Sequence, residues 1–533
     1  MIQIKNLDIM EKKDLRELVS GLSFVINDGD KMAVIGEEGN GKSTLLKLIY
    51  DEGMVQDYIE YSGEIIRNQS VFGYLEQETR QEQKEKSVYE FLSEEPCFLE
   101  MEPGELAVYA RQFRMPLELF YAEQRMGQLS GGEKVKIRML RALCRKPDIL
   151  LLDEPSNDLD LETLQWLEDF ICGWKGGILY ISHDETLLEH TANRILHLEQ
   201  VRKKRKPRHT AAKQGYAEYV SERMSGLRKQ EQMARKERSE YRKQQEKFRQ
   251  IKQRVAHEQE VITRQDPQGA RLLKKKMHAV KSMERRFEKE SENMTELPDV
   301  EEAIVLKFSE MKPLPARKTV LDLSVSELSA GDRVLARNLS LRIAGRQKVC
   351  IVGKNGVGKT TLLKKIAEEL LARTDIKAAY MPQDYEEIVL SGANHWKSGK
   401  TEEIVTPVSY LSETGEKEEI TRIRTFLGSL KVTAEEMEHP VSELSGGQRA
   451  KLILLKLCMS GANVLLLDEP TRNLSPLSNP VIRMLLKQYE GAIISVSHDR
   501  KFIEEVCDRV VELTEEGFRE SRLETFLTNP GIR

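Results

Sequence analysis

Two glycine-rich loops hold the residues best suited to chemistry. Gly36-Glu37-Glu38-Gly39-Asn40-Gly41-Lys42-Ser43-Thr44 and Gly353-Lys354-Asn355-Gly356-Val357-Gly358-Lys359-Thr360-Thr361 both carry the pattern G-x-x-x-x-G-K-[ST]. Glycines at that spacing let backbone N–H groups wrap a polyphosphate. The lysine reaches the β- and γ-phosphates, and the Ser43 or Thr360 hydroxyl can ligate Mg²⁺. Each loop follows a short apolar run, Lys31-Met32-Ala33-Val34-Ile35 or Lys348-Val349-Cys350-Ile351-Val352, and precedes a helix-forming stretch.

Acidic and imidazole groups stand where such a loop would use them. Asp153 and Asp468 close apolar runs and can hold the Mg²⁺ shell. The adjacent Glu154 and Glu469 are placed to polarise an attacking water. His183 and His498 follow the next apolar run, which in a parallel sheet brings them towards a γ-phosphate. Gln77, in Tyr74-Leu75-Glu76-Gln77, and Gln383, in Met381-Pro382-Gln383, are weaker candidates for the metal shell.

The elements that position these groups occur twice. Leu129-Ser130-Gly131-Gly132 recurs as Leu444-Ser445-Gly446-Gly447, Leu152-Asp153-Glu154-Pro155 as Leu467-Asp468-Glu469-Pro470, and Ser182-His183-Asp184 as Ser497-His498-Asp499, each 315 residues on. The glycine-rich loop recurs 317 residues on. The chain of 533 residues is therefore two copies of one domain, residues 1–200 and 301–533, with a connector over residues 201–300. Apolar runs such as Ile149 to Leu152, Ile178 to Ile181, Val464 to Leu467 and Ala492 to Val496 lack alternation, as buried parallel strands do. Strand, loop and helix in turn predict an α/β fold with a mostly parallel sheet in each copy.

The connector has a different composition. Residues 201–300 carry 28 Lys+Arg against 15 Asp+Glu, although the whole chain has a net charge of −4. That imbalance suits a polyanion partner. Leu227, Ala234, Tyr241, Phe248, Val255 and Ile262 recur every seven residues, as do Leu273, Val280, Phe287 and Met294 beyond Asp266-Pro267-Gln268-Gly269. Two such stripes flanking a Pro/Gly turn predict an antiparallel helical hairpin with its tip at residues 262–269. One apolar position per heptad makes a thin seam. Arg235, Lys236, Arg242, Lys243, Lys274, Lys275, Lys276 and Arg285 lie on its outward faces and suit RNA phosphates. No apolar run approaches the roughly 18 to 20 residues of a membrane span. The opening Met1-Ile2-Gln3-Ile4-Lys5 lacks a secretory h-region, and six cysteines without C-x-x-C spacing point to a reducing cytosol.

Phosphate loop, Gln, Leu-Ser-Gly-Gly, Asp-Glu-Pro and Ser-His-Asp, in that order, resemble the nucleotide-binding domain of an ABC ATPase over nearly all of both copies. The resemblance implies two domains closing head-to-tail around two ATP molecules with Mg²⁺. One pocket would combine residues 36–43 and Glu154 with Ser445, Gly446 and Gly447; the other would combine residues 353–360 and Glu469 with Ser130, Gly131 and Gly132. The Ser-Gly-Gly turn opens a helix whose positive end can meet the opposite γ-phosphate. One departure concerns the base: Phe24 and Phe308 are the aromatic residues available before the loops, and Phe24 reads as a strand core position.

Tandem domains of this kind joined by a basic hairpin resemble the ABC-F translation proteins. That resemblance implies a cytoplasmic protein, a monomer when free, that enters the E site of the 70S ribosome and meets P-site tRNA and 23S rRNA. The tip, with Ile262, Thr263, Arg264, Gln265, Asp266, Pro267 and Gln268, and with Lys274, Lys275 and Lys276 behind it, would make the RNA contacts. Glu154-Pro155-Ser156-Asn157-Asp158-Leu159-Asp160 is similar to the common E-P-T-N-H-L-D, whereas Arg472-Asn473-Leu474-Ser475-Pro476 departs from it. That departure resembles the branch protecting ribosomes from lincosamides, pleuromutilins and streptogramin A. Short intervals from Gln77 to Leu129 and Gln383 to Leu444 leave little room for the extra arm of many housekeeping members, and no long extension is expected after His498. The alternatives are a housekeeping translation factor of the same family and the ATPase subunit of a membrane transporter.

Overall fold

The computed structural model describes residues 1–77, 80–201, 206–261, 267–292, 308, 311, 313–331, 333–385, 405–430 and 432–521. By contacts, Met1–Tyr216 and Glu301–Arg533 group as one compact unit, and Ala217–Val300 as another.

In the first copy a six-stranded sheet runs Phe72–Leu75, Ile149–Asp153, Gly177–Ile181, Lys31–Ile35, Arg194–Val201, Lys206–Ala212. The first five strands are parallel and the last is antiparallel. The second copy repeats that order as Ala378–Met381, Val464–Asp468, Ala492–Val496, Lys348–Val352, Arg509–Thr514, Gly517–Ser521. The central strands are buried throughout, because both faces of a parallel sheet are covered; this is why they read as unbroken apolar runs.

Register decides what meets what. Asp153 pairs with Ile181 and Val34 with Ile181 across neighbouring strands, so the three chain segments leave the sheet at one edge. The glycine-rich loop, Asp153-Glu154 and His183 are thereby gathered within one crevice outside the carboxyl ends of the strands. An antiparallel layer packs on the helix after the loop. In the first copy it comprises Ile2–Glu11, Glu17–Ile26 and Ile59–Ile66, and in the second Thr319–Ala330 with Arg333–Ala344. Leu45, Leu46, Leu48 and Ile49 join Ile4, Leu22, Met32 and Leu151 in one core; Leu362, Leu363 and Ile366 do the same with Leu321, Leu341, Val349 and Leu466.

The connector unit contains helices Tyr216–Val261, of 46 residues, and Pro267–Glu292, of 26. At 1.5 Å per residue the first runs roughly 70 Å. Phe287 packs on Tyr241 and Phe248, with ring centroids 5.9 and 5.2 Å away, and Lys252 pairs with Glu284 at 2.7 Å. These contacts set the two helices antiparallel. Ala234 is fully buried, whereas Leu272, Met277 and Met283 remain exposed. The expected turn is corrected in part: Pro267, Gln268 and Gly269 belong to the second helix. Proline at the first helical position has no donor to lose and its φ is already helical. Ile262, Thr263, Arg264, Gln265 and Asp266, with Met294, lie outside the described residues.

Candidate nucleotide sites

Both glycine-rich loops fold around their own lysine. Lys42 Nζ donates to the carbonyls of Gly36 at 2.7 Å and Glu37 at 2.9 Å; Lys359 Nζ donates to those of Gly353 at 2.8 Å and Lys354 at 2.9 Å. Gly36 and Gly353 sit at φ +141° and +149°, where a Cβ would come 2.1 Å from the Leu198 carbonyl oxygen and 2.6 Å from that of Leu513. Only glycine fits there. Asn40 turns inward to the Leu198 carbonyl at 3.0 Å and Val357 joins the core, so these two brace the loops with their side chains. Gly39 and Gly41, like Gly356 and Gly358, take positive φ, and Thr44 lies beside Tyr58. Gly41 and Gly358 cap helices Lys42–Tyr50 and Lys359–Leu371 in left-handed geometry, aiming backbone N–H groups into the crevice.

The residues present fit a divalent cation. Ser43 Oγ donates to Asp153 Oδ1 at 2.9 Å, and both oxygens of Asp468 are buried beside Thr360. Burial pushes each carboxyl up to about 6, against the pull of Ser43 at Asp153 and of the neighbouring Thr360 and Lys359 at Asp468. A hard cation would reverse that penalty by replacing lost water with charge. Gln383 lines the same cavity as Thr360 and Asp468; Gln77 instead donates to Glu154 Oε2 at 3.0 Å.

The two candidate catalytic glutamates share a backbone but not an environment. Glu154 and Glu469 both stand in the left-handed region, at φ 48° and 50°, and their N–H groups donate to Ile181 and Val496. Such strain persists where the surroundings fix it, often at functional sites. Burial alone would raise Glu154, but His183, Lys42 and Asn157 outweigh it and hold its carboxyl at about 2. His183 Nε2 lies 3.2 Å from Glu154 Oε1. In the second copy His498 Nε2 is 3.9 Å from Glu469, and burial pushes Glu469 up to about 8. Burial also drives His498 down to about 3, and its Nδ1 has no partner. One motif thus sits in two electrostatic environments.

Residues from the two copies meet at both loops. Ser130 and Ser445 cap helices Gly131–Leu143 and Gly446–Met459 in reciprocal boxes with Glu133 and Gln448. Added Cβ atoms at Gly131 and Gly132 would fall 2.4 Å from the Asp158 carbonyl oxygen and 2.6 Å from Thr163 Oγ1. A cavity of about 630 Å³ is lined by Gly131 and Asn157 from the first copy and by Lys359, Thr360, Thr361, Asp468, Glu469 and His498 from the second. Asn355 Nδ2 donates to the Asp158 carbonyl at 2.6 Å across this seam, and Arg472 pairs with Asp158 at 3.0 Å. At the other loop Glu38 accepts from the Gly447 N–H, Glu37 pairs with Lys451, and His183 Nδ1 lies 2.7 Å from the Leu474 carbonyl. A crevice of about 20 Å³ in this seam is lined by Glu37, Glu38, Ser445 and Gly447. Gly446 lies beside the same Glu38 carboxylate.

Some participants were not legible as motif residues. Phe24 is in the core and Phe308 stacks on Tyr489 with centroids 4.6 Å apart, so neither ring faces a loop. Arg16, in the turn before strand Glu17–Ile26, donates to the Gly39 carbonyl instead, and Leu18 and Leu335 back Gly41 and Gly358. A short β-hairpin ending at a glycine-rich loop was the available signal. Glu185 and Glu168 of the first copy pair with Arg483 and Arg500 of the second; Glu185 and Arg500 directly follow the two Ser-His-Asp motifs.

A family model described as ABC transporter matches residues 19–157 and 336–472. The ribosome protection protein VmlR of Bacillus subtilis (strain 168) is 28% identical over 508 residues, covering 92% of this chain and 83% of that protein. The ATP-binding protein Uup of Escherichia coli (strain K12) is 28% identical over 534 residues, covering 91% and 76%. Among solved structures, a chain from the complex of an archaeal ribosomal stalk protein with an archaeal ribosome recycling factor has the same fold. Its TM-score is 0.56 at 16% identity, over 98% of this chain and 91% of that one.

Proposed function

Because this chain belongs to the ABC transporter family of ATPases, as a tandem protein of the ABC-F type, we propose that it acts on the ribosome. In this reading it enters the E site of the 70S particle, contacts P-site tRNA and 23S rRNA through the connector, and protects the peptidyl transferase centre from lincosamides, pleuromutilins and streptogramin A. ATP closes the two copies and hydrolysis releases the protein. The observation that carries the reading is the pair of long basic helices inserted between the two ATPase copies. RNA phosphates are a natural counter-charge for exposed Lys274, Lys275 and Lys276. The relative named a ribosome protection protein adds support, and no helix among the described residues is long and apolar enough to cross a membrane.

Within this reading the phosphate loops bind ATP; Ser43, Asp153 and Gln77, or Thr360, Asp468 and Gln383, would hold Mg²⁺. The cation, when bound, supplies charge neutralisation on the phosphates. Glu154 takes the proton of the attacking water in the first copy, with Gln77 and His183 fixing its carboxylate. Glu469 takes the same role in the second. The protein works in the cytoplasm as a monomer when free.

The test is drug susceptibility of one host with and without the gene, beside co-sedimentation of the protein with ribosomes in ATP. Protection from the three drug classes together with ribosome binding is the expected result. Ribosome binding without any change in susceptibility would indicate a housekeeping translation factor, and sedimentation with membranes would indicate a transporter ATPase.

A further inference from the structure

The two loops differ at their third residue. Asn355 in the second copy corresponds to Glu38 in the first, at the 317-residue offset of the loops. An amide can donate, and Asn355 does so to the Asp158 carbonyl at 2.6 Å. A carboxylate has no proton to give, so Glu38 cannot make that contact with the carbonyl of Asn473, which corresponds to Asp158. It turns instead to the N–H of Gly447, at the first turn of helix Gly446–Met459, with Gly446 also against its oxygens. Charge-assisted bonding to a backbone N–H and the positive helix end both favour an anion there. Its neighbour Glu37 pairs with Lys451, which is almost fully buried. Lys354, the residue corresponding to Glu37, faces Glu162 in a loose exposed pair at 3.8 Å.

We propose that Glu38 is a specificity-determining residue: its carboxylate holds the Gly447 N–H that the terminal phosphate of a nucleoside triphosphate would otherwise take. The loop of the first copy therefore discriminates little between nucleoside di- and triphosphates, and the loop of the second is the one that reads the γ-phosphate. The inference rests on the reading of both loops as nucleotide sites. A triphosphate entering the first site must displace Glu38 and then sit beside its charge. A diphosphate does neither. Glu37 and Lys451 fasten the same segment, so the first seam is closed by the protein's own anions.

The experiment uses the full chain with Lys359→Ala, which removes the lysine of the second loop. Fluorescent ADP and a fluorescent, non-hydrolysable ATP analogue are titrated with Mg²⁺ present. With Glu38 in place the two bind within a few-fold of each other. Glu38→Asn and the nearly isosteric Glu38→Gln should each raise affinity for the triphosphate about tenfold or more, and change that for ADP less than threefold. Binding that Lys42→Ala abolishes, with a triphosphate-to-diphosphate ratio unmoved by either substitution, overturns the role of Glu38 and leaves the nucleotide reading standing. Absence of any Lys42-dependent binding overturns both.

Discussion

Glu185 of the first copy and Arg483 of the second form a forked ion pair, almost fully buried, with Nη2 to Oε2 at 3.2 Å. Glu168 and Arg500 make the counterpart, since residues 168 and 483, and 185 and 500, correspond at the 315-residue offset. Both carboxylates come from the first copy and both guanidiniums from the second. Two first copies brought together would set Glu against Glu, so the arrangement favours pairing within one chain over pairing between identical domains.

Breaking a buried pair costs up to about 3–5 kcal/mol, and without Arg483 the buried Glu185 keeps only Lys501, at 3.6 Å. Arg483→Met should therefore lower the urea midpoint of the full chain clearly. Glu185→Leu combined with Arg483→Met should recover much of the loss, because the buried carboxylate goes with its guanidinium, while Lys501 keeps Glu189 and Glu505 is partly exposed. A double variant as unstable as the single one would assign the effect to packing instead.

The roles proposed for Glu154 and Glu469 can be tested separately. Glu154→Gln with Glu469→Gln is expected to lower ATP turnover by at least about 10²-fold while leaving nucleotide binding intact. His183→Ala should reduce turnover more than His498→Ala, since His183 Nε2 is 3.2 Å from its glutamate and His498 Nε2 is 3.9 Å from the other. Steady-state phosphate release in each variant checks both statements; equal losses from the two histidines would contradict the second.

Ribosome affinity should fall steeply with salt if the connector meets RNA. Lys274, Lys275 and Lys276 are exposed on helix Pro267–Glu292. Replacing all three with Ala should weaken binding and flatten the plot of log K against log salt by up to about 2 in slope. ATP turnover without ribosomes should hardly change. An unaltered slope would leave these lysines as a solvated face.

A pH dependence follows from Glu419. Its carboxylate accepts from Ser412, Glu413, Thr414 and Gly415 in the turn before helix Lys417–Ser429, and these bonds, led by the Glu413 N–H, hold it at about 2 against an ordinary 4.5. A lowered carboxyl stabilises the fold fully above the unfolded value and loses that contribution as pH falls towards the folded one. The gap in urea midpoint between the parent and Glu419→Gln should be constant from pH 8 to 6 and shrink between pH 5 and 3. A constant gap across that whole range would show that the charge is not what matters.

Local patterns carried most of the fold. Ile149–Asp153 and Gly177–Ile181 read as buried strands because each is apolar throughout, and Gly36 and Gly353 mark loops because any Cβ there strikes a carbonyl. Contacts across the copies left no such trace. Nothing next to Glu38 in the chain announces Gly447, nor anything next to His183 the Leu474 carbonyl. The same motif therefore concealed two surroundings, one that lowers Glu154 to about 2 and one that pushes Glu469 up to about 8. Proline misled once and informed once. Pro267 reads as a turn and opens a helix, whereas the Ser475-Pro476 departure accompanies a helix that begins at Asn479, three residues later than its counterpart at Leu161.

The seam of the connector hairpin, Phe287 against Tyr241 and Phe248 with one Lys252–Glu284 bridge, is slight beside the charge around it. Its charges are mixed but basic on balance, 28 Lys+Arg against 15 Asp+Glu over residues 201–300. Like charges along two adjacent rods repel, so its stiffness depends on the ions condensed on it and not on its core alone. Added salt screens that repulsion, so the hairpin is expected to be more compact in concentrated than in dilute salt. The stiffness of the arm would then depend on the ions around it as well as on its seam.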